Sequence, residues 1–351
     1  MEDTSFKEAA DFDNLMAAAN ECKKGVTWKA SVQSFEINKL RWVASMRKEL
    51  LDGTYKGKGY NNFTIKERGK VRRIQSVHIS ERVVQKSINN NCLKPDILPG
   101  LVYDNSASIK GKGTEFALER LKVHLQRHYR CHGRTGGVLT IDFSNYFGSI
   151  DRDKLLVLLG QQIKDNRVYA MVERVVRSFA GDTGLGLGSE ISQTCAIAFP
   201  APIDRYVKEQ LCIKGYGRYM DDSYLIHEDV DYLRYCLQEI RRECAKLGIT
   251  INERRTQITR IDKGSFTYLK KRIMLTDTGK VVMRLSRKKI TQERRKLKKY
   301  KEMLDAGRIT MQSIRQHYQS FRGGAAKYNT AKTLKSMDEL YVELFGEEEI
   351  K

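Results

Sequence analysis

The chain has no Cys-x-x-Cys pair, no apolar run of about eighteen residues, and only four prolines in 351 residues. Each shortage removes a class of protein. Seven cysteines, an odd number without redox or metal-ligand spacing, argue against a disulfide framework and for reduced thiols in a cytosolic setting. Without a long apolar run no membrane span is expected. The acidic opening Met1-Glu2-Asp3-Thr4 lacks the apolar segment of a signal peptide. No proline follows Pro202, so long helices are permitted from there onward. Acid is also scarce against base: 43 Asp and Glu face 64 Lys and Arg, a net charge of +21. A surplus of that size points to a polyanionic partner, most simply nucleic acid, with a basic solvated surface as the plainer alternative.

At 351 residues and 40% hydrophobic content the chain can build two or three compact units with a substantial core. Two stretches concentrate carboxylates where strands should end. In Gly217-Arg218-Tyr219-Met220-Asp221-Asp222-Ser223-Tyr224-Leu225-Ile226, strand-favouring residues flank an acidic pair, which predicts a β-hairpin with Asp221 and Asp222 at its tip. Adjacent carboxylates repel, and a hard cation such as Mg²⁺ relieves that repulsion; an ordinary Asp turn is the bland alternative. Val138-Leu139-Thr140-Ile141 reads as an apolar strand ending at Asp142, where a carboxylate is costly unless paired or metal-bound.

Around these, periodicity predicts one amphipathic helix over residues 5 to 25 and another over 31 to 52, stopped by Asp52-Gly53. A hairpin is expected from Tyr60 to Ile79, turning at Glu67-Arg68-Gly69-Lys70 and carrying Lys70, Arg72 and Arg73, three cations that can meet a triphosphate. A helix over 80 to 93 is expected to be capped at Ser80. Lys110-Gly111-Lys112-Gly113 forms a flexible basic loop ahead of a helix starting near Thr114. His124, His128, Cys131 and His132 have zinc-like spacing. Interleaved Arg127, Arg130 and Arg134 disfavour a further cation and favour a phosphate-facing basic face. Asp151 reads as a helix cap. Gly184 to Gln193 is a glycine-rich loop, without the spacing of a dinucleotide loop. Helices are expected from Ile203 to Leu211 and from Tyr232 to Leu247, with strand then turn over Ile249 to Thr256. Basic residues dominate from Arg284 to Lys301, followed by helices from Ile309 to Leu344 interrupted at Gly323-Gly324. Glu347-Glu348-Glu349 reads as solvated.

Tyr219-Met220-Asp221-Asp222 resembles the catalytic hairpin of reverse transcriptases. Asp142, with Phe147 five residues on, resembles their first carboxylate motif, and the remaining stretches follow in the family's order over roughly residues 35 to 330. The resemblance implies an α+β right-hand polymerase: N-terminal helices and fingers in 1–135, an antiparallel palm in 136–283, a helical thumb in 284–351. It implies RNA-directed DNA synthesis by Asp142, Asp221 and Asp222. Two Mg²⁺ ions, with Mn²⁺ as an alternative, would sit on these side chains and on the Phe143 backbone carbonyl. Lys70, Arg72, Arg73 and Gln193 would bind the incoming nucleotide, and Phe147 would gate against a ribose 2′-hydroxyl. Lys110, Lys112, Gly188, Ser192, Tyr219, Met220, Tyr268, Leu269, Arg287 and Lys288 would hold template and primer. Two departures stand out. Gly186 replaces the family's usual Pro. Arg255 stands where a Lys often serves as proton donor, and arginine is a poor acid. The Ser192-Gln193 ending and the lack of retron motifs lean toward a free-standing bacterial branch, of defence or diversity-generating type, working in the cytoplasm with a cognate noncoding RNA. Template-independent, protein-primed synthesis of abortive-infection type and a non-catalytic, maturase-like RNA-binding scaffold are the alternatives.

Overall fold

The computed structural model of the protein describes residues 5–57, 59–67 and 70–346; within the first hairpin the side chains of Tyr60, Asn62, Glu67, Lys70, Val71, Arg72 and Arg73 lie outside that description. Three antiparallel sheets are embedded among helices, so the α+β class is as expected. The first sheet is the hairpin β1 (Tyr60–Glu67) and β2 (Lys70–Val77), paired from Tyr60↔Val77 to Glu67↔Lys70. Its turn residues Arg68 and Gly69 are outside the described residues.

The second sheet carries the site. Its strands are β3 (Gly137–Asp142), β4 (Gly215–Tyr219), β5 (Asp222–His227) and β6 (Gln257–Arg260), in the order β4-β5-β3-β6. β3 is buried along its whole length. Side chains alternate between its faces: Leu139 and Ile141 enter the main core with Leu225, while Val138 joins Tyr224 and Ile226 in a second core on the opposite face. That second core is closed by the helix Thr114–His132 and by a three-stranded sheet of β7 (Phe266–Tyr268), β8 (Lys271–Leu275) and β9 (Val281–Leu285). Gly136, at φ 95°, permits the entry into β3: a Cβ there would stand 2.2 Å from the His227 carbonyl oxygen. The C-terminal helices Arg287–Asp305, Met311–Ala326 and Ala331–Phe345 pack around Leu297, Ile314, Tyr318, Met337 and Tyr341. The expected boundary after residue 283 falls inside β9, and helix begins at Arg287.

Several helix boundaries differ from periodicity. The first expected helix is two, Ser5–Ala9 and Phe12–Cys22, because the Asp11 side chain caps the second by accepting from the Asp13 N–H. The next is split at Asn38, whose ψ of 22° leaves the helical region between Ala30–Ile37 and Lys39–Leu51. The helix Ile79–Ile88 is capped by His78, not Ser80: the His78 ring nitrogen accepts from the Ser80 N–H, and a π-turn over Asn89–Leu93 extends it. The helix expected over 203 to 211 is Ala201–Arg205 followed by a π-turn. Ile249 to Thr256 contributes only a bridge at Ile251, and the paired strand is β6. Gly323-Gly324 do not interrupt their helix. Each glycine costs about 1 kcal/mol against alanine, which a packed helix absorbs. The real break lies where Asn329 exchanges two hydrogen bonds with Met283 of β9, at 2.9 and 3.0 Å.

Candidate active site

Cross-strand register assembles the three carboxylates. β3 and β5 pair so that Asp142 lies opposite Asp222, and the Phe143 N–H donates to the Asp221 carbonyl at 3.2 Å. β4 and β5 are joined through a two-residue turn, Met220-Asp221, closed by the Tyr219↔Asp222 pair. Only the first central residue, Met220, has positive φ, at 55°. That is the pattern of a type II′ turn, which ordinarily takes glycine there.

Asp142 is buried. Its Oδ2 accepts from the Asn252 amide at 2.9 Å and its Oδ1 from Arg255 at 3.3 Å. Its main chain is tied down as well, the carbonyl accepting from the Asn252 N–H at 2.8 Å. Asp221 and Asp222 are half-buried. Burial raises the Asp221 carboxyl above its ordinary range, and the charge of Asp142 adds to this. Burial pushes Asp222 up to about 7, followed by repulsion from Asp221 and Asp142. Three acids around one turn, with Arg255 as a partly exposed counter-charge, form an environment that favours added positive charge. Among the described residues no three His, Cys, Asp or Glu side chains close into a finished metal cage. Carboxylates are hard oxygen donors, the kind that Mg²⁺ takes one or two of together with water and substrate phosphates. The donor set therefore fits a hard divalent cation, with Asp142, Asp221, Asp222 and the Phe143 carbonyl as the available oxygens.

Phe147 is half-buried on the short helix Tyr146–Ser149, edge-on to Tyr146 at 5.9 Å between ring centroids, and its carbonyl accepts from the Leu185 N–H at 2.8 Å. The glycine-rich loop is thereby attached to the β3 side of the site. β2 holds it from the other side, the Gln75 N–H donating to the Leu187 carbonyl at 3.2 Å. Gly186 has a packing reason: a Cβ would stand 2.4 Å from the Phe179 ring. Gly188 is exposed at φ 119°. The helix after the loop starts at Glu190 with Ser189 as its cap. Gln193 is exposed and its Oε1 accepts from the Ser108 hydroxyl at 3.1 Å, whereas Ser192 is buried.

The remaining expected contacts divide by exposure. Lys110, Arg287 and Lys288 are exposed. The Lys112 ammonium turns back onto its own loop, donating to the Tyr103 carbonyl at 2.5 Å and lying 4.6 Å from that ring's centre. Tyr219, Met220 and Leu269 are half-buried, while Tyr268 is buried edge-on against Tyr224 at 5.1 Å. The side chains of Lys70, Arg72 and Arg73 lie outside those described. The histidine group divides, with two of its rings buried and His132 exposed. His124 and His128 point inward, His124 against the Tyr224 hydroxyl at 3.0 Å and His128 against the Thr135 carbonyl at 2.7 Å; Arg127 and Arg130 stay on the exposed side of that helix.

Sequence reasoning missed the cations that hold the frame. Arg152 is buried and spends all its donors on five carbonyls of the stretch Phe179 to Gly184, at 2.7 to 3.0 Å. Arg218 is likewise buried, paired with Asp204 at 2.6 Å. Nothing in a linear pattern marks an arginine as inward-facing; its adjacency to Asp151 or to the acidic turn was the only available signal.

A family model described as reverse transcriptase (RNA-dependent DNA polymerase) matches residues 61–298. No curated protein matches the chain. Among solved structures it is similar to apo telomerase from Candida tropicalis truncated from its C-terminal domain, with 13% identity and a TM-score of 0.49 over 63% of this chain. The chain spans 54% of that telomerase chain.

Proposed function

The chain belongs to the reverse transcriptase family, and from that premise we propose that it extends a primer with dNTPs on an RNA template by nucleotidyl transfer. The observation that carries this is the register that sets Asp142 opposite Asp222, with Asp221 on the connecting turn. A family member kept only as an RNA-binding scaffold has no use for three acids facing a polyanion. Bound at this cluster, a pair of Mg²⁺ ions would supply activation of the primer 3′-hydroxyl and neutralisation of the leaving pyrophosphate. The chain's own residues orient and exclude. Asn252 and Arg255 fix the rotamer of Asp142. Phe147 occupies the space where a ribose 2′-hydroxyl would lie. Gln193, with Lys70, Arg72 and Arg73 of the finger strand, holds the nucleotide, and Arg255 stabilises phosphate charge rather than donating a proton.

On the same reading, residues 1–135, 136–283 and 284–351 act as fingers, palm and thumb. Template and primer run past Lys110, Gly188, Tyr219, Met220, Leu269, Arg287 and Lys288. We place the enzyme among free-standing bacterial members that copy a cognate noncoding RNA, in a defence or retroelement role. The test is dNTP incorporation on a primed RNA template with Mg²⁺. Asp221→Ala should lower the rate by at least about a thousandfold, on the scale of removing a group that acts only in the transition state. Incorporation that survives Asp221→Ala would sink the assignment of the site. Incorporation without template would favour the abortive-infection type of synthesis.

A further inference from the structure

The buried cation behind the carboxylate turn carries an inference that rests on the reading above. Arg218 and Asp204 are 1% and 0% exposed, two charges withdrawn entirely from water. Replacing both members of such a pair by apolar residues of similar size is often neutral or stabilising, so stability alone does not explain its presence. Its geometry does. The Arg218 guanidinium donates to both Asp204 oxygens at 2.6 and 2.7 Å, to the Ile197 carbonyl at 2.9 Å, and to the Met220 carbonyl at 3.0 Å. Tyr216, two residues earlier on the same face of β4, donates to Asp204 at 2.5 Å. Asp204 thus anchors both residues to the helix Ala201–Arg205, and the fork reaches from that anchor into the turn.

The turn requires such a hold. Met220 at φ 55° is a non-glycine residue in the left-handed region. That conformation costs on the order of 1–2 kcal/mol and persists only where the surroundings over-determine it. Arg218 also fastens the other edge of its strand: its N–H donates to the Asp104 carbonyl at 3.1 Å and its carbonyl accepts from the Ser106 N–H at 3.0 Å. One residue therefore joins the loop Asp104–Ser106, the helix behind, and the turn that carries the acids.

We propose that Arg218, braced by Asp204, is a positioning residue for catalysis: its hydrogen bond to the Met220 carbonyl holds the strained turn and keeps Asp221 and Asp222 in register with Asp142. Without it the turn relaxes toward an unstrained φ and the carboxylates separate. A displacement near 1 Å is enough to lower a rate by about a hundredfold.

The test compares the full-length wild type with Arg218→Met/Asp204→Leu and with Arg218→Lys. Three quantities are measured: melting temperature, Mn²⁺ affinity by paramagnetic resonance titration, and single-turnover incorporation on primed RNA. The double variant, combined with Tyr216→Phe so that no buried hydroxyl is left without its Asp204 acceptor, should melt near the wild type, bind Mn²⁺ about tenfold more weakly, and incorporate about a hundredfold more slowly while the KM for dNTP moves less than about threefold. A pair with a merely structural role gives back the rate and the Mn²⁺ affinity along with the melting temperature, and that result overturns the proposal. Should the double variant fail to fold, Arg218→Lys decides. It keeps a charge opposite Asp204 but lacks the fork that reaches Met220, so retained rate and Mn²⁺ affinity there overturn the proposal equally. If the wild type itself incorporates nothing, the polymerase reading fails, and the Mn²⁺ comparison still decides the positioning role.

Discussion

His124 lies between Asp104, Arg120 and the Tyr224 hydroxyl, with only 4% of its surface exposed. Burial lowers its pKa from 6.5 to about 4; Asp104 opposes that shift, and Arg120, Lys208 and Arg127 reinforce it. The ring is therefore neutral in the fold at neutral pH. Because the folded value lies below the unfolded one, its contribution is complete above the unfolded pKa and is lost as pH falls toward the folded value. Acidification from about pH 7 to about pH 4.5 should remove about 2 kcal/mol through this residue. His124→Gln, which keeps a partner for Tyr224, should flatten the dependence of melting temperature on pH over that range; an unchanged slope would assign the acid sensitivity elsewhere. Arg152 makes the same point with a cation. Its five carbonyl acceptors belong to a stretch some thirty residues away in sequence, and an arginine in a linear pattern reads as surface until the acceptors are seen.

At the scale of elements, the β7–β8 hairpin turns through Leu269 and Lys270, both with positive φ, 46° and 64°. This is the pattern of a type I′ turn, whose favoured residues are Asn-Gly. Two ordinary residues held there imply strain. Lys270→Gly, which leaves the contact of Leu269 with the second core intact, should raise stability by about 1 kcal/mol, read as a higher melting temperature. Leu269→Asn added to that change should shorten extension products where Leu269 touches the primer; full-length products would free Leu269 from that role. Helix ends follow the same logic. Asp11 and Asp151 act through short side chains on N–H groups two or three residues on; the cap at Asp151 is legible from the sequence, whereas apolar periodicity runs one helix through the equally local cap at Asp11. The break after Ala326 depends on Asn329 meeting Met283, a contact with no local signature.

For the whole molecule the governing quantity is the charge of +21. The exposed face of Arg287–Asp305 concentrates it: Arg287, Lys288, Lys289, Arg294, Arg295 and Lys296 are exposed, while Leu297 and Glu293 face inward. Binding to an RNA–DNA duplex should weaken steeply with salt, each neutralised phosphate adding about 0.9 to the slope of log K against log salt. Arg287→Glu with Lys288→Glu should reduce that slope by about two, measured by fluorescence anisotropy between about 50 and about 200 mM salt. An unchanged slope would place the duplex on another face.

The sequence by itself determined the strands β3, β4 and β5, their hairpin, and the placing of Asp142, Asp221 and Asp222 at strand ends. Runs of strand-favouring residues and turn chemistry are local, and a carboxylate at the end of an apolar strand announces itself by its cost. The tertiary structure alone decided that Asp142 stands opposite Asp222 rather than one residue away, since register is a property of the pair and a slip of one turns every side chain to the other face. It alone turned His124 and His128 inward and buried Arg152 and Arg218 as braces. A charged side chain is taken out of water only where several distant acceptors converge on it, and that convergence exists only in three dimensions.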